Sequence, residues 1–169
     1  TPLDAIYPQR LREIYDPPLV LYYHGNLKLL QYPCLAVVGS RNITKYGEQA
    51  INQLLPGVVS SQVAIVSGLA KGVDGLAHQI TLLDGRAAIA VTGLDGSYPR
   101  CNAFLQRQIA QSGLLLTEYP LATTPYPSNF PERNRIIAGL CHACLVVEGS
   151  RRSGSLITAN LALQDNRNV

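Results

Sequence analysis

From residue 35 onward the chain repeats one pattern, a short unbroken apolar run followed by a stretch of helical periodicity. The runs are Leu35–Val38 (LAVV), Val63–Val66 (VAIV), Ala88–Val91 (AIAV), Leu114–Leu116 (LLL) and Cys144–Val147 (CLVV). The helical stretches lie near Gly47–Val59, Val73–Leu83, Asn102–Gln111, Glu132–Leu140 and Leu156–Gln164. A run with no polar alternation reads as a strand covered on both faces. Strands that alternate with helices become parallel neighbours, because tight hairpins join only antiparallel ones, and their crossovers are right-handed. The expected fold is therefore α/β, a doubly wound, mostly parallel sheet with helices on both faces. In such sheets ligands gather beyond the carboxyl ends of the strands, where the strand order reverses.

The first 34 residues break this rhythm. They are rich in proline and tyrosine, with a short helix expected at Gln9–Ile14 and a short strand at Leu19–Tyr23; Asp16-Pro17-Pro18 ends the helix. We read residues 1–34 as a lead-in segment that packs on the core and residues 35–169 as the domain proper. A chain of 169 residues with 47% hydrophobic and 15% charged residues buries a real core and is neither fibrous nor disordered. No stretch reaches the roughly 18 apolar residues of a membrane span, and the N-terminus lacks a signal pattern, so a cytoplasmic protein without a membrane partner is expected. The net charge of +3 is too small to identify a nucleic-acid partner; where the cations sit matters more. Of the cysteines at 34, 101, 141 and 144, only Cys141 and Cys144 form a C-x-x-C. No second pair completes a zinc site, and buried structural thiols are the expectation.

The loops that should share one rim are Gly39–Gly47, Ser67–Asp74, Thr92–Pro99, Thr117–Pro131 and Gly149–Ser155. Gly39, Ser40 and Arg41 follow a strand, and their N–H groups and guanidinium can hold phosphate; the alternative is a plain turn. Ser67, Gly68, Lys71 and Gly72 resemble a phosphate loop only loosely: the G-x-x-x-x-G-K-[ST] spacing is missing, and with it support for ATP hydrolysis. No G-x-G-x-x-G follows the first strand, against an ordinary NAD site. Asp74 and His78, four apart on one helix, are either an acid–base pair or a helix cap beside a satisfied histidine.

The densest chemistry lies between Ser128 and Asn160. Pro131 and Glu132 suit a helix start that carries Arg133, Asn134 and Arg135. After the last strand, Ser153, Gly154 and Ser155 open another helix. Strand, Gly/Ser loop and helix N-terminus in that order make an anion site, since unpaired N–H groups and the helix dipole meet at one spot; the plainer reading is a cap. Phe130 is either a core plug or a stacking platform for a base.

The segments DPPLVLYYHG, AVVGSRNITKYG, IVSGLAKGVDGLAH, GLDGSYPRCN, FPERNRIIAGL and VVEGSRRSGSLITANLAL resemble, in number, order and spacing, the successive motifs of the DprA/Smf (DNA-processing protein A) family over nearly the whole chain. The resemblance implies a Rossmann-like DNA-binding domain at residues 35–169. It also implies binding and protection of single-stranded DNA, loading of the RecA recombinase in bacterial natural transformation, homodimers, and no known catalytic reaction; no cofactor or metal is expected. Gly149 stands where the family more often has alanine, and Asn166 where a glycine often ends the last helix; asparagine also takes the left-handed cap conformation. The family pattern runs on past Val169, so a fragment truncated at the C-terminus is expected. The DNA contacts expected are Gly39, Ser40, Arg41, Ser67, Gly68, Lys71, Gly72, Phe130, Arg133, Asn134, Arg135, Ser153, Gly154 and Ser155, with Arg41 on phosphate and Phe130 on a base. The competing class is a nucleotide-binding enzyme of the lysine-decarboxylase-like phosphoribohydrolase type, with Glu118 or Glu148 assisting N-glycosidic cleavage. Its P-G-G-x-G-T-x-x-E signature is absent.

Overall fold

Strands and helices alternate along the chain as the apolar runs predict. The computed structural model describes residues 1–93, 100–121, 123–124, 126–151 and 153–169; most of the Thr92–Pro99 loop, Ala122, Pro125 and Arg152 lie outside them. The strands are β1 (Tyr22–Gly25), β2 (Cys34–Val38), β3 (Ala64–Ser67), β4 (Ala88–Val91), β5 (Leu114–Thr117) and β6 (Ala143–Val146). They lie in the order β1-β5-β4-β3-β2-β6. All neighbours run parallel except β1, which pairs antiparallel with β5 at the edge. From β2 to β5 the chain steps steadily in one direction; it then returns to lay β6 on the other side of β2. The strand order thus reverses between β2 and β6, which fixes where a ligand crevice opens.

The helices are α1 (Gln9–Arg12), α2 (Lys45–Ser60), α3 (Val73–Leu83), α4 (Ala103–Ser112), α5 (Asn129–Leu140) and α6 (Gly154–Gln164). Side chains alternate across each strand, and the two faces are covered by different helices. Ala36, Val38, Val66, Ile89, Val91 and Leu116 pack with Leu11, Ile136, Ile137 and Ala162, on the side of α1, α5 and α6. Val37 and Ile65 meet Ile51, Leu55, Val73 and Ala77 of α2 and α3, while Ala88, Ala90 and Leu115 meet Leu105 and Ile109 of α4. Each fully buried leucine or isoleucine in these layers contributes about 1.5–3 kcal/mol by leaving water. The architecture is Rossmann-like, with a sandwiched parallel sheet.

The lead-in joins the same core: Tyr7, Leu11, Ile14 and Leu29 are buried in the cluster that covers β2 to β5. Its strand begins three residues later, and ends two later, than the sequence pattern places it. The antiparallel register Tyr22↔Thr117 to Gly25↔Leu114 selects the residues that pair, and Leu19 and Val20 stay exposed. A 3-10 turn at Leu27–Gln31, capped by the Asn26 side chain accepting from the Lys28 N–H, follows β1. α2 begins at Lys45, before the apolar pattern does, because Thr44 Oγ1 accepts from the Gly47 N–H at 3.2 Å. Cys34, Cys141 and Cys144 are buried and Cys101 is exposed, all unpaired. Burial pushes the Cys34 and Cys144 thiols up to about 11, which leaves little thiolate for chemistry. Beyond α6, Asn168 pairs in parallel with Ala143 on the outer edge of β6. Among the described residues no helix is long and apolar enough to cross a membrane.

Candidate nucleic-acid interface

At the reversal point the loops after β2 and β6 part, and the start of α5 comes over the gap. The result is a cleft of ≈ 610 Å³, lined by residues that include Gly39, Ser40, Arg41, Phe130, Arg133 and Ser155. Gly39 is required here: a Cβ would fall 2.6 Å from the Val73 side chain and 3.0 Å from the Glu148 carbonyl. The loop then turns on Ser40, whose Oγ accepts from the Asn42 N–H at 3.1 Å. That turn presents Arg41, exposed, with its guanidinium 5.6 Å from the centroid of the Phe130 ring. A guanidinium over an aromatic face is a favourable cation–π contact, and both groups suit nucleic acid: one for phosphate, one for a base.

The opposite lip is the N-terminus of α6. Ser153 is its extended N-cap residue and makes no side-chain cap bond; its Oγ instead lies 2.7 Å from Ser155 Oγ. Gly154 and Ser155 also line the cleft, so the first N–H groups of an 11-residue helix lie beside it. Asn134 ties α5 to this lip by donating to the Gly154 carbonyl at 3.2 Å. Asn42 and Thr158 line the cleft as well. Asn42 was legible as the residue after Gly39-Ser40-Arg41, and Thr158 from its i+4 spacing to Gly154.

The remaining sequence-derived residues are placed differently from Arg41. Lys71 is exposed on the loop after β3. Ser67 is fully buried and donates to the Val37 carbonyl at 2.6 Å, and Gly68 is buried beside it. Gly72, at φ +85°, packs on the Ser40 and Arg41 carbonyls, where a Cβ would collide. Arg133 lies on the cleft floor, with Nη1 donating to the Val91 carbonyl at 2.6 Å and its guanidinium filling the space a side chain at Gly68 would need. Burial lowers the pKa of Arg133, and Asp74 opposes that shift. Arg135 points to the other flank of α5: Nη1 and Nη2 donate to Glu118 at 3.1 and 2.7 Å, and Nε donates to Asp16 at 2.9 Å. The structure therefore brings Arg41, Phe130 and the Ser153–Ser155 segment together with Arg133 and Asn134, and leaves Arg135 outside.

Asp74 lines the cleft, but it and His78 do not form a working acid–base pair there. Asp74 Oδ2 accepts from the Gly68 and Ala70 N–H groups at 3.2 and 3.4 Å, and burial raises its pKa against the pull of Arg133. His78 is fully buried behind it, which pulls its pKa down to about 4. Glu118 is held by Arg135. Glu148 accepts from the Thr44 N–H and Oγ–H at 2.7 and 2.8 Å, anchoring the start of α2.

The model of the DNA recombination-mediator protein A family matches residues 1–169. This chain belongs to that family. Among its members, the DNA processing protein DprA of Streptococcus pneumoniae is 48% identical over 169 residues, covering 99% of this chain and 60% of its own length. Protein Smf of Synechocystis is 47% identical over 175 residues, covering 100% of this chain and 44% of its own length. The chain thus spans about half the length of the curated relatives it matches. The X-ray structure of S. pneumoniae DprA superposes with a TM-score of 0.94 at 47% identity, covering 98% of this chain and 59% of that one. A structure of the Helicobacter pylori family member, described for its single-stranded DNA binding mode, gives a TM-score of 0.89 at 33% identity, covering 95% and 75%.

Proposed function

We propose that this chain binds single-stranded DNA in the cleft between the β2 and β6 loops, without reading sequence. The observation that carries the proposal is the Arg41–Phe130 pair at the cleft mouth. Arg41 makes no ion pair among the described residues, and it lies against an aromatic ring, beside a helix N-terminus. A phosphate takes Arg41 and the N–H groups of Gly39, Ser40, Gly154 and Ser155, the Ser153 N–H being already given to the Ser150 carbonyl; the neighbouring base stacks on Phe130, which any base can do. A duplex hides its base faces and cannot use the ring. Arg133, Asn134, Ser67, Gly68 and Gly72 shape the cleft, and Lys71 adds charge to its rim.

On this reading the protein works by binding and not by catalysis. Both glutamates that glycosidic cleavage would recruit are engaged elsewhere, one by Arg135 and one by Thr44. The wider role we propose is that of a cytoplasmic homodimer that shields single strands and hands them to the RecA recombinase, supported by family membership and by the single-strand binding described for the H. pylori relative. Titration of oligo-dT and of an equally long duplex across a salt series tests the core of it. Single strands should bind more tightly, with a log–log salt slope of about −0.7 per phosphate neutralised. Equal affinity for both forms, or a flat salt response, refutes the reading.

A further inference from the structure

The loop after β3 is pinned on both sides. Asn102 occupies the N-cap position of α4, where an asparagine oxygen ordinarily accepts from the helix's first N–H groups, yet it makes no such bond. Its Nδ2 instead donates to the Leu69 and Ala70 carbonyls, both at 2.9 Å. Gly75 has no side chain to block this: a Cβ there would lie 2.9 Å from Asn102 Nδ2. From the other side Asp74 accepts from the Gly68 and Ala70 N–H groups. Leu69, between them, is fully buried with φ +57°, a left-handed conformation that leucine rarely adopts unless its surroundings impose it.

The far end of this loop bears directly on Arg41. Gly72 packs against the Ser40 and Arg41 carbonyls, and the Val73 N–H donates to the Ser40 carbonyl at 3.1 Å. A shift of Leu69 and Ala70 is thus passed through Gly72 to the turn that aims Arg41 over Phe130. We infer that Asn102 is a positioning residue for DNA binding: it locks the β3 loop so that Arg41 is held in its binding orientation before DNA arrives. The inference rests on the cleft being the single-strand site.

Positioning and contact leave different marks. Removing a phosphate contact lowers the salt slope, whereas lowering the fraction of molecules with Arg41 correctly aimed multiplies the apparent Kd by a factor independent of salt. Asn102→Ala should weaken oligo-dT binding about tenfold, as when the competent fraction drops to roughly a tenth, with the slope of the parent. Gly75→Ala, which displaces the Asn102 amide while keeping it, should do the same to a smaller degree. In Arg41→Ala the added Asn102→Ala should cost nothing further, because Asn102 acts through Arg41. Thermal melts select the folded variants, and either Asn102→Ala or Gly75→Ala carries the test. Parent-like affinity, a lowered slope, or full additivity with Arg41→Ala overturns the inference. If Arg41→Ala itself binds like the parent, the cleft reading falls and this inference with it; if Arg41→Ala weakens binding and the positioning variants do not, only the inference falls.

Discussion

The mouth of the cleft and the flank of α5 are built from the same side chain, and they differ in what it is paired with. At the flank, Arg135 is a closed unit: Glu118 takes both terminal nitrogens and Asp16 takes Nε, so the lead-in, β5 and α5 are fastened together. At the mouth, Arg41 faces an aromatic ring and no carboxylate among the described residues. Arg133 falls between the two, its guanidinium donating to the Val91 carbonyl on the cleft floor. Residues two apart on a helix are turned by about 200°, which sends Arg133 and Arg135 to opposite flanks of α5. On the proposed reading, whether a cation can serve DNA depends on its partners, and a cluster of arginines in sequence divides between fastening and binding.

If that division is right, the fastening side governs stability and the mouth governs affinity. The largest effect should come from the buried floor. Burial takes His78 from the usual 6.5 down to about 4, so between these pH values the unfolded chain holds the extra proton and the folded one does not. Stability is therefore intact above pH 6.5 and lost as the pH falls, by about 2 kcal/mol at pH 5 and on the order of 3 kcal/mol near pH 4. Asp74, raised by its own burial, works in the opposite sense and returns part of the loss at the acid end; His142, exposed and lowered by partial burial and by Arg10, adds a smaller loss. Urea unfolding at pH 7 and pH 5 should show the drop in the parent and a much reduced one in His78→Leu. Equal drops in both would remove His78 from the explanation.

Next in size, Arg135→Ala should lower stability by about 2 kcal/mol, since it strips charged hydrogen bonds from a largely buried Glu118. Its salt slope for oligo-dT should stay that of the parent. A lowered slope would instead put Arg135 on a phosphate and dissolve the distinction between flank and mouth. Phe130→Ala probes the mouth itself, and should cost about 1–3 kcal/mol of single-strand affinity with an unchanged slope and little change in melting temperature. Loss of folding with retained affinity per folded molecule would make Phe130 a core plug.

Much of the fold was legible in the sequence because apolar strands sandwiched between helices leave an unbroken signature, as in LAVV, VAIV and AIAV. The edge strand was less so. Tyr22–Gly25 is fixed by its pairing with β5, and nothing local distinguishes it from Leu19–Tyr23. At the site, the sequence pointed to Arg41, Phe130 and the start of α6, which the fold draws together although Arg41 and Phe130 stand far apart in the chain. It could not reveal that Arg135 would meet Glu118 and Asp16, because that depends on which flank of α5 turns toward the lead-in. Nor could it show Asn102 reaching the Leu69 and Ala70 carbonyls in place of capping its own helix.

The most direct test is the salt dependence of oligo-dT binding by Arg41→Ala beside the parent, with circular dichroism and melting temperature confirming that both are folded. Loss of one phosphate contact should weaken binding for every sequence alike and reduce the magnitude of the log–log slope by about 0.7, with melting temperature unchanged. An Arg41→Ala protein that is folded and matches the parent in both affinity and slope would place the DNA somewhere other than this cleft.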